Sequence, residues 1–144
     1  MIDFTIETEI ERPVEEVFAY ATDPAKLPTW QLNTVSAVPD GIGPVGRGTR
    51  IREVHSAPGG REVPSLVEVS EHEPNRLFAL HVLEGPLPLD ARLTFEPRGA
   101  GTRMAFRVHG SPNGLLKIAS PLMKRPLRRQ FEAHCAELKR VLES

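Results

Sequence analysis

The chain has 144 residues, a formal net charge of −1, and 40% hydrophobic and 26% charged residues. That suits one compact domain which buries roughly two-thirds of the surface its unfolded form exposes, without help from a disulfide or a metal. The balanced charge offers no field to draw nucleic acid or acidic lipid, no apolar run approaches the ~20 residues that cross a bilayer, and the single cysteine, Cys135, has no intramolecular partner.

The opening MIDFTIETEIERP has no apolar signal core, so a cytoplasmic, reducing location is expected. Within it Phe4, Ile6, Thr8 and Ile10 alternate with Asp3, Thr5, Glu7 and Glu9, the period of a strand with one buried face. Pro13 suits the first turn of a helix, and Val14, Val17, Phe18 and Ala21 follow at helical spacing, giving about two turns. Asp23 before Pro24 repeats the start signal, with Pro28 expected to stop this second helix and Trp30 to emerge just beyond the corner. Strands are expected near Asn33 to Val38, Thr49 to His55, Val63 to His72, Leu77 to Glu84, Leu89 to Glu96 and Thr102 to His109. The short links APGGR, EPN, EGPLP and PRGAG suit hairpins and therefore an antiparallel sheet. Ser120 and Pro121 read as the start of a final helix, with Met123, Leu127, Phe131, His134, Leu138 and Val141 on one stripe and Pro126 inside it. The expected architecture is α+β, a single domain over residues 1–144 with an antiparallel sheet of about seven strands curled around the long C-terminal helix.

In this order and spacing, TIETEIERPVEEVFAYATDP with Trp30 after it, GPVGRGTRIRE, VEVSEHEPNRLFAL, FEPRGAGTRMAF and RRQFEAHCAELKRVLES resemble the polyketide cyclase/dehydrase and lipid-transport proteins of the START-like (SRPBCC) superfamily, with its helix-grip fold. The resemblance covers essentially the whole chain. It implies a cavity between sheet and long helix that binds lipids, sterols, polyketides or other apolar molecules, with cyclisation or dehydration catalysed in some members. An unfilled apolar void costs about 24 cal/mol per Å³, so a cavity of several hundred Å³ is expected to hold something.

Several motifs have competing readings. GIGPVG, Gly41 to Gly46, matches a dinucleotide fingerprint, yet a strand pattern follows where a helix N-terminus must receive the pyrophosphate. GPVGRGT lacks a phosphate loop's lysine, and HGSPNG lacks the spacing of a nucleophile elbow. KRPLRR, Lys124 to Arg129, reads as a solvated helix face, with no nucleic acid expected. His55, His72, His81, His109 and His134 show no metal-ligand spacing.

Two polar positions stand out. His134 occupies a stripe position where leucine or phenylalanine would pack better, and reads either as a partly buried histidine bonded to the sheet or as a polar group facing a cavity. Glu53 is either an inward carboxylate sharing a face with Ile51, able to act as acid or base, or part of a strand end that twists into solvent. Periodicity does not assign His81 to a face, and Trp30 reads as a structural plug or as a ligand contact.

The leading expectation is a binding protein for a hydrophobic or aromatic small molecule. Its ligand-binding residues would be Trp30, Ile51, Glu53, Val67, Leu93, Phe106, Met123, Phe131 and His134, with no cofactor, no metal and no assigned catalytic residue. The alternative is a cyclase or dehydratase using Glu53 or His134 for proton transfer. A third reading is a protein-interaction module, and a homodimer is left open, whereas stable membrane insertion is not expected.

Overall fold

The computed structural model describes residues 2–86, 88–110 and 115–144, the last range without the side chains of 115–121 and 123. The first strand, β1 (Ile2–Ile10), follows the sequence alternation: Ile2, Phe4, Ile6 and Ile10 are buried, and Asp3, Thr5, Glu7 and Glu9 are turned outward. Helix α1 (Val14–Ala21) starts directly after Pro13 and buries Val14, Val17, Phe18 and Ala21. Phe18 meets Phe95 edge to face at 5.1 Å, which anchors α1 to the core.

Asp23 caps the next segment, its Oδ1 accepting the Ala25 N–H at 3.0 Å above a 3-10 turn, Pro24–Lys26. Helix α2 (Leu27–Trp30) follows without a break. Pro28 therefore does not stop a helix. It lies in the first turn of one, where its missing N–H has no intrahelical acceptor to lose. Trp30 is the last residue of that helix rather than the first beyond it.

Strands β2 (Thr34–Pro39), β3 (Arg50–Ala57), β4 (Arg61–Glu73), β5 (Leu77–Glu84), β6 (Asp90–Arg98) and β7 (Gly101–Gly110) complete an antiparallel sheet in the order β1-β7-β6-β5-β4-β3-β2. From β2 onward each strand pairs with its sequence neighbour, and β1 closes on β7 with Ile6 opposite Phe106. Register shifts between Leu66 and Val67 and between Val69 and Glu71 mark irregularities in β4, the longest strand; such bulges increase local twist and let a sheet curve. The glycine stretch from Gly41 to Gly46 lies between β2 and β3, and a strand follows it.

Helix α3 (Leu115–Glu143) lies across β1, with Phe4 and Phe131 at 6.0 Å and Lys139 Nζ donating to the Glu9 carbonyl at 2.6 Å. It starts earlier than Ser120 and Pro121 suggest. Leu115 to Ala119 are themselves adequate helix formers, and a proline deletes one hydrogen bond without dictating where the helix begins. Pro126 sits within α3 on its exposed side. The buried stripe carries Leu127, His134 and Leu138 as expected, and also Cys135 and Leu142. Ser111 lies outside the described residues. Among the described residues no helix is long and apolar enough to cross a membrane.

Candidate functional site: a cavity between sheet and helix

The concave face of the sheet, α2 and α3 together surround a cavity of about 330 Å³. Alternation along three neighbouring strands builds its floor. Phe78, Leu80 and Val82 of β5, Ala91 and Leu93 of β6, and Phe106 and Val108 of β7 all face it. The opposite face of β5 carries His81, which is exposed and pairs with Asp90; this settles the side that periodicity left open. Leu127 and Phe131 of α3 form the roof, and Leu27 and Trp30 of α2 close one side.

Aromatic rings form a continuous chain along this wall. Trp30 meets Phe106 edge to face at 6.3 Å, Phe106 meets Phe131 at 5.2 Å, and Phe131 meets the His134 imidazole at 5.3 Å. Trp30 is wholly buried, and its indole N–H meets no acceptor among the described residues, an arrangement that costs about 1–3 kcal/mol.

One wall is polar. Strand β3 alternates Arg50 and Arg52 outward with Ile51 and Glu53 inward, so Glu53 is only 6% exposed. The alternative of a strand end twisting into solvent is not what forms, because pairing with β4 continues past Glu53 to Ala57. Glu53 Oε1 lies 3.1 Å from His55 Nε2, and His55 Nδ1 lies 3.4 Å from the Thr34 hydroxyl on the adjacent strand. From α3, His134 is 3% exposed; its Nδ1 accepts the Leu32 backbone N–H at 3.4 Å. That donor belongs to the turn before β2 rather than to the sheet itself. Burial, with the nearby His55 adding to it, lowers the His134 pKa from 6.5 to about 4, so the ring is neutral at pH 7. Cys135, next in sequence, turns towards Thr8, and burial raises its thiol to about 11.

Of the residues expected to surround a ligand, Trp30, Glu53, Val67, Leu93, Phe106, Phe131 and His134 all line this cavity. Ile51 does not. It faces inward and is buried in the core, but along β3 the lining starts at Glu53 and runs towards Ala57, one side-chain repeat further on. The Met123 side chain lies outside the described residues. Reasoning from sequence missed the polar lining residues Gln31, Asn33 and Gln130, and Pro58, Pro86 and Leu89 on loops. Loop positions carry no periodicity, so only the hairpin turn signals could have marked them. Among the described residues no group of three or more histidine, cysteine or carboxylate side chains is placed to hold a metal ion.

The backbone is similar to that of several solved structures. TTHA0849 from Thermus thermophilus aligns over 96% of this chain and 94% of its own, with 22% identity and a TM-score of 0.79. NE0264 from Nitrosomonas europaea aligns over 99% and 94%, with 16% identity and a TM-score of 0.75. Ara h 8.0201 aligns over 94% and 96%, with 16% identity and a TM-score of 0.67. At these identities the likeness establishes the helix-grip fold alone. No curated protein matches the sequence. The family model described as polyketide cyclase/dehydrase and lipid transport matches residues 1–143, and the chain belongs to that family.

Proposed function

We propose that this protein binds a hydrophobic or aromatic small molecule, lipid- or polyketide-like, in the cavity between the sheet and α3. The observation that carries the reading is the cavity itself: about 330 Å³, within the usual size of ligand sites, walled by aliphatic and aromatic side chains with a few polar groups gathered on one side. The apolar wall supplies burial, at roughly 25 cal/mol per Å² of ligand surface removed from water, and the polar wall supplies orientation. Trp30, Val67, Leu93, Phe106 and Phe131 are the proposed apolar contacts, and Glu53 and His134 the proposed polar ones. Membership of a family that includes lipid-transport proteins supports the same reading. The one free thiol, Cys135, suits work in the cytoplasm.

Native mass spectrometry of gently purified protein, followed by denaturation and identification of what is released, tests the proposal. A reproducible apolar molecule is the expected result. Val82, half-buried on the cavity floor, offers a second test: Val82→Phe fills space without adding charge. It is expected to abolish uptake of apolar probes while the protein stays folded. Unchanged uptake in the filled variant would place the ligand elsewhere and sink the proposal.

A second reading, a cyclase or dehydratase, is favoured by one observation. Glu53 and His134, the two groups that could move protons, are both buried and line the same cavity. Turnover of a polyketide-like substrate that is lost in both Glu53→Gln and His134→Phe would support it; turnover that survives both substitutions would exclude these residues as acid and base.

A further inference from the structure

The polar wall has a charge character that bears on the head group of the ligand. Among the described lining residues the charged groups are carboxylates, Glu53 and Asp90; no lysine or arginine is among them. Asp90 is paired with His81 on the outer face, which leaves Glu53 as the buried carboxylate inside. One of its oxygens faces His55 at 3.1 Å, and no described residue donates a hydrogen bond to Oε2. An anion brought beside Glu53 would meet a carboxylate in a low-dielectric setting, with His55 beside it and no lysine or arginine among the described lining residues.

His134 supplies the complementary half. Because its Nδ1 accepts the Leu32 N–H, the proton of the neutral ring sits on Nε2. The residue lines the cavity, and burial keeps it neutral at pH 7. It therefore offers a hydrogen-bond donor without a positive charge. A carboxyl group and a neutral donor both line an otherwise apolar space. A hydroxyl can meet either group, donating to the carboxyl oxygen or accepting from the imidazole N–H. A carboxylate satisfies only the second and is repelled by the first; a hydrocarbon leaves both polar groups dehydrated and unmet, which is costly.

Resting on the proposed binding function, we propose that the wall formed by Glu53 and His134 selects apolar ligands that end in a neutral hydroxyl, phenolic or alcoholic, and discriminates against carboxylates of the same size.

Isothermal titration calorimetry at neutral pH with naphthol, methylnaphthalene and naphthoate, which share one ring body, isolates the end group. Naphthol is expected to bind at least about tenfold more tightly than methylnaphthalene, the amount one hydrogen bond to a charged group supplies, with naphthoate weakest. Decanol against decanoate repeats the comparison on an aliphatic body and tells phenol from alcohol as the preferred source. Glu53→Gln is expected to narrow the gap between naphthol and naphthoate by relieving the repulsion. His134→Phe, which keeps an aromatic ring in place, is expected to reduce the preference of naphthol over methylnaphthalene while Glu53 still accepts; thermal melts check that both variants fold. Val82→Phe is expected to weaken every probe, which locates the binding. Naphthoate binding as tightly as naphthol, or naphthol no tighter than methylnaphthalene, overturns the hydroxyl preference while leaving the cavity reading intact. If no probe binds to the native protein, the binding reading falls and the preference falls with it.

Discussion

The two faces of the same sheet treat charge in opposite ways. On the convex face, Asp3 pairs with Arg107 at 2.8 Å and Glu7 with Arg103 across the β1–β7 ladder, while Glu71 pairs with Arg92 near the middle of the sheet. On the concave side, Glu53 of β3 and His134 of α3 are buried, and among the described residues the carboxylate pairs with an imidazole. Exposed pairs sit where water already screens charge, so each contributes little. The concave groups are few and lie where every unmet hydrogen bond is expensive. Pairing is thus thorough on the side where it matters least and sparse where it matters most.

The largest expected effect tests whether the aromatic chain is core as well as wall. Phe106 is 2% exposed and contacts both Trp30 and Phe131, so Phe106→Ala is expected to cost about 3–5 kcal/mol in urea unfolding. Phe131 is only half-buried, and Phe131→Ala is expected to cost clearly less. Equal losses would mean that Phe131 is ordinary core and that the roof of the cavity is not adaptable.

The next effect concerns pH. Native His134 refuses a proton until about pH 4, whereas the unfolded chain takes it up near 6.5. Stability from this group is thus fully present above pH 6.5 and is lost as pH falls from 6.5 to 4, by up to about 3 kcal/mol. Denaturation followed across that window is expected to show the slope in the native protein and a flatter curve in His134→Phe. A variant with the same slope would assign the pH dependence to other groups.

The smallest expected effect belongs to the convex face. Asp3→Asn breaks an exposed pair, and its thermal midpoint at moderate salt is expected to stay close to that of the native protein. The pair does hold the Asp3 carboxyl below its ordinary range, through the hydrogen bonds from Arg107. A large drop in midpoint would show that the convex ladder is a cooperative network and would weaken the contrast between the two faces.

Much of the fold was legible because its elements carry strong local signals. The alternation in β1, the helical spacing after Pro13, the Asp23 cap and the hairpin links each depend on neighbours a few residues away. The misreadings came at prolines. Pro28 opens α2 rather than ending a helix, and α3 runs through Pro121, because one proline signal is compatible with either a start or an interior position until packing decides.

The site was legible only in part, for a different reason. Polarity on an apolar stripe singled out His134, and strand phase placed Glu53 on the same face as Ile51. Phase says which face a side chain takes but not how far along the strand a cavity extends, and so it did not separate Ile51, in the core, from Glu53, on the wall.

The sequence by itself thus determined the α+β class, the strand-and-helix order, and the inward face of β1 and α1, since these follow from periodicity, capping and turn chemistry within short windows. Only the tertiary structure decided where packing stops and a cavity begins, which loops reach it, that Leu32 rather than the sheet hydrogen-bonds His134, and that Glu53 lies beside His55. Those features depend on residues far apart in the chain, such as Leu32 and His134, meeting across a curved sheet, and no local pattern encodes such a meeting.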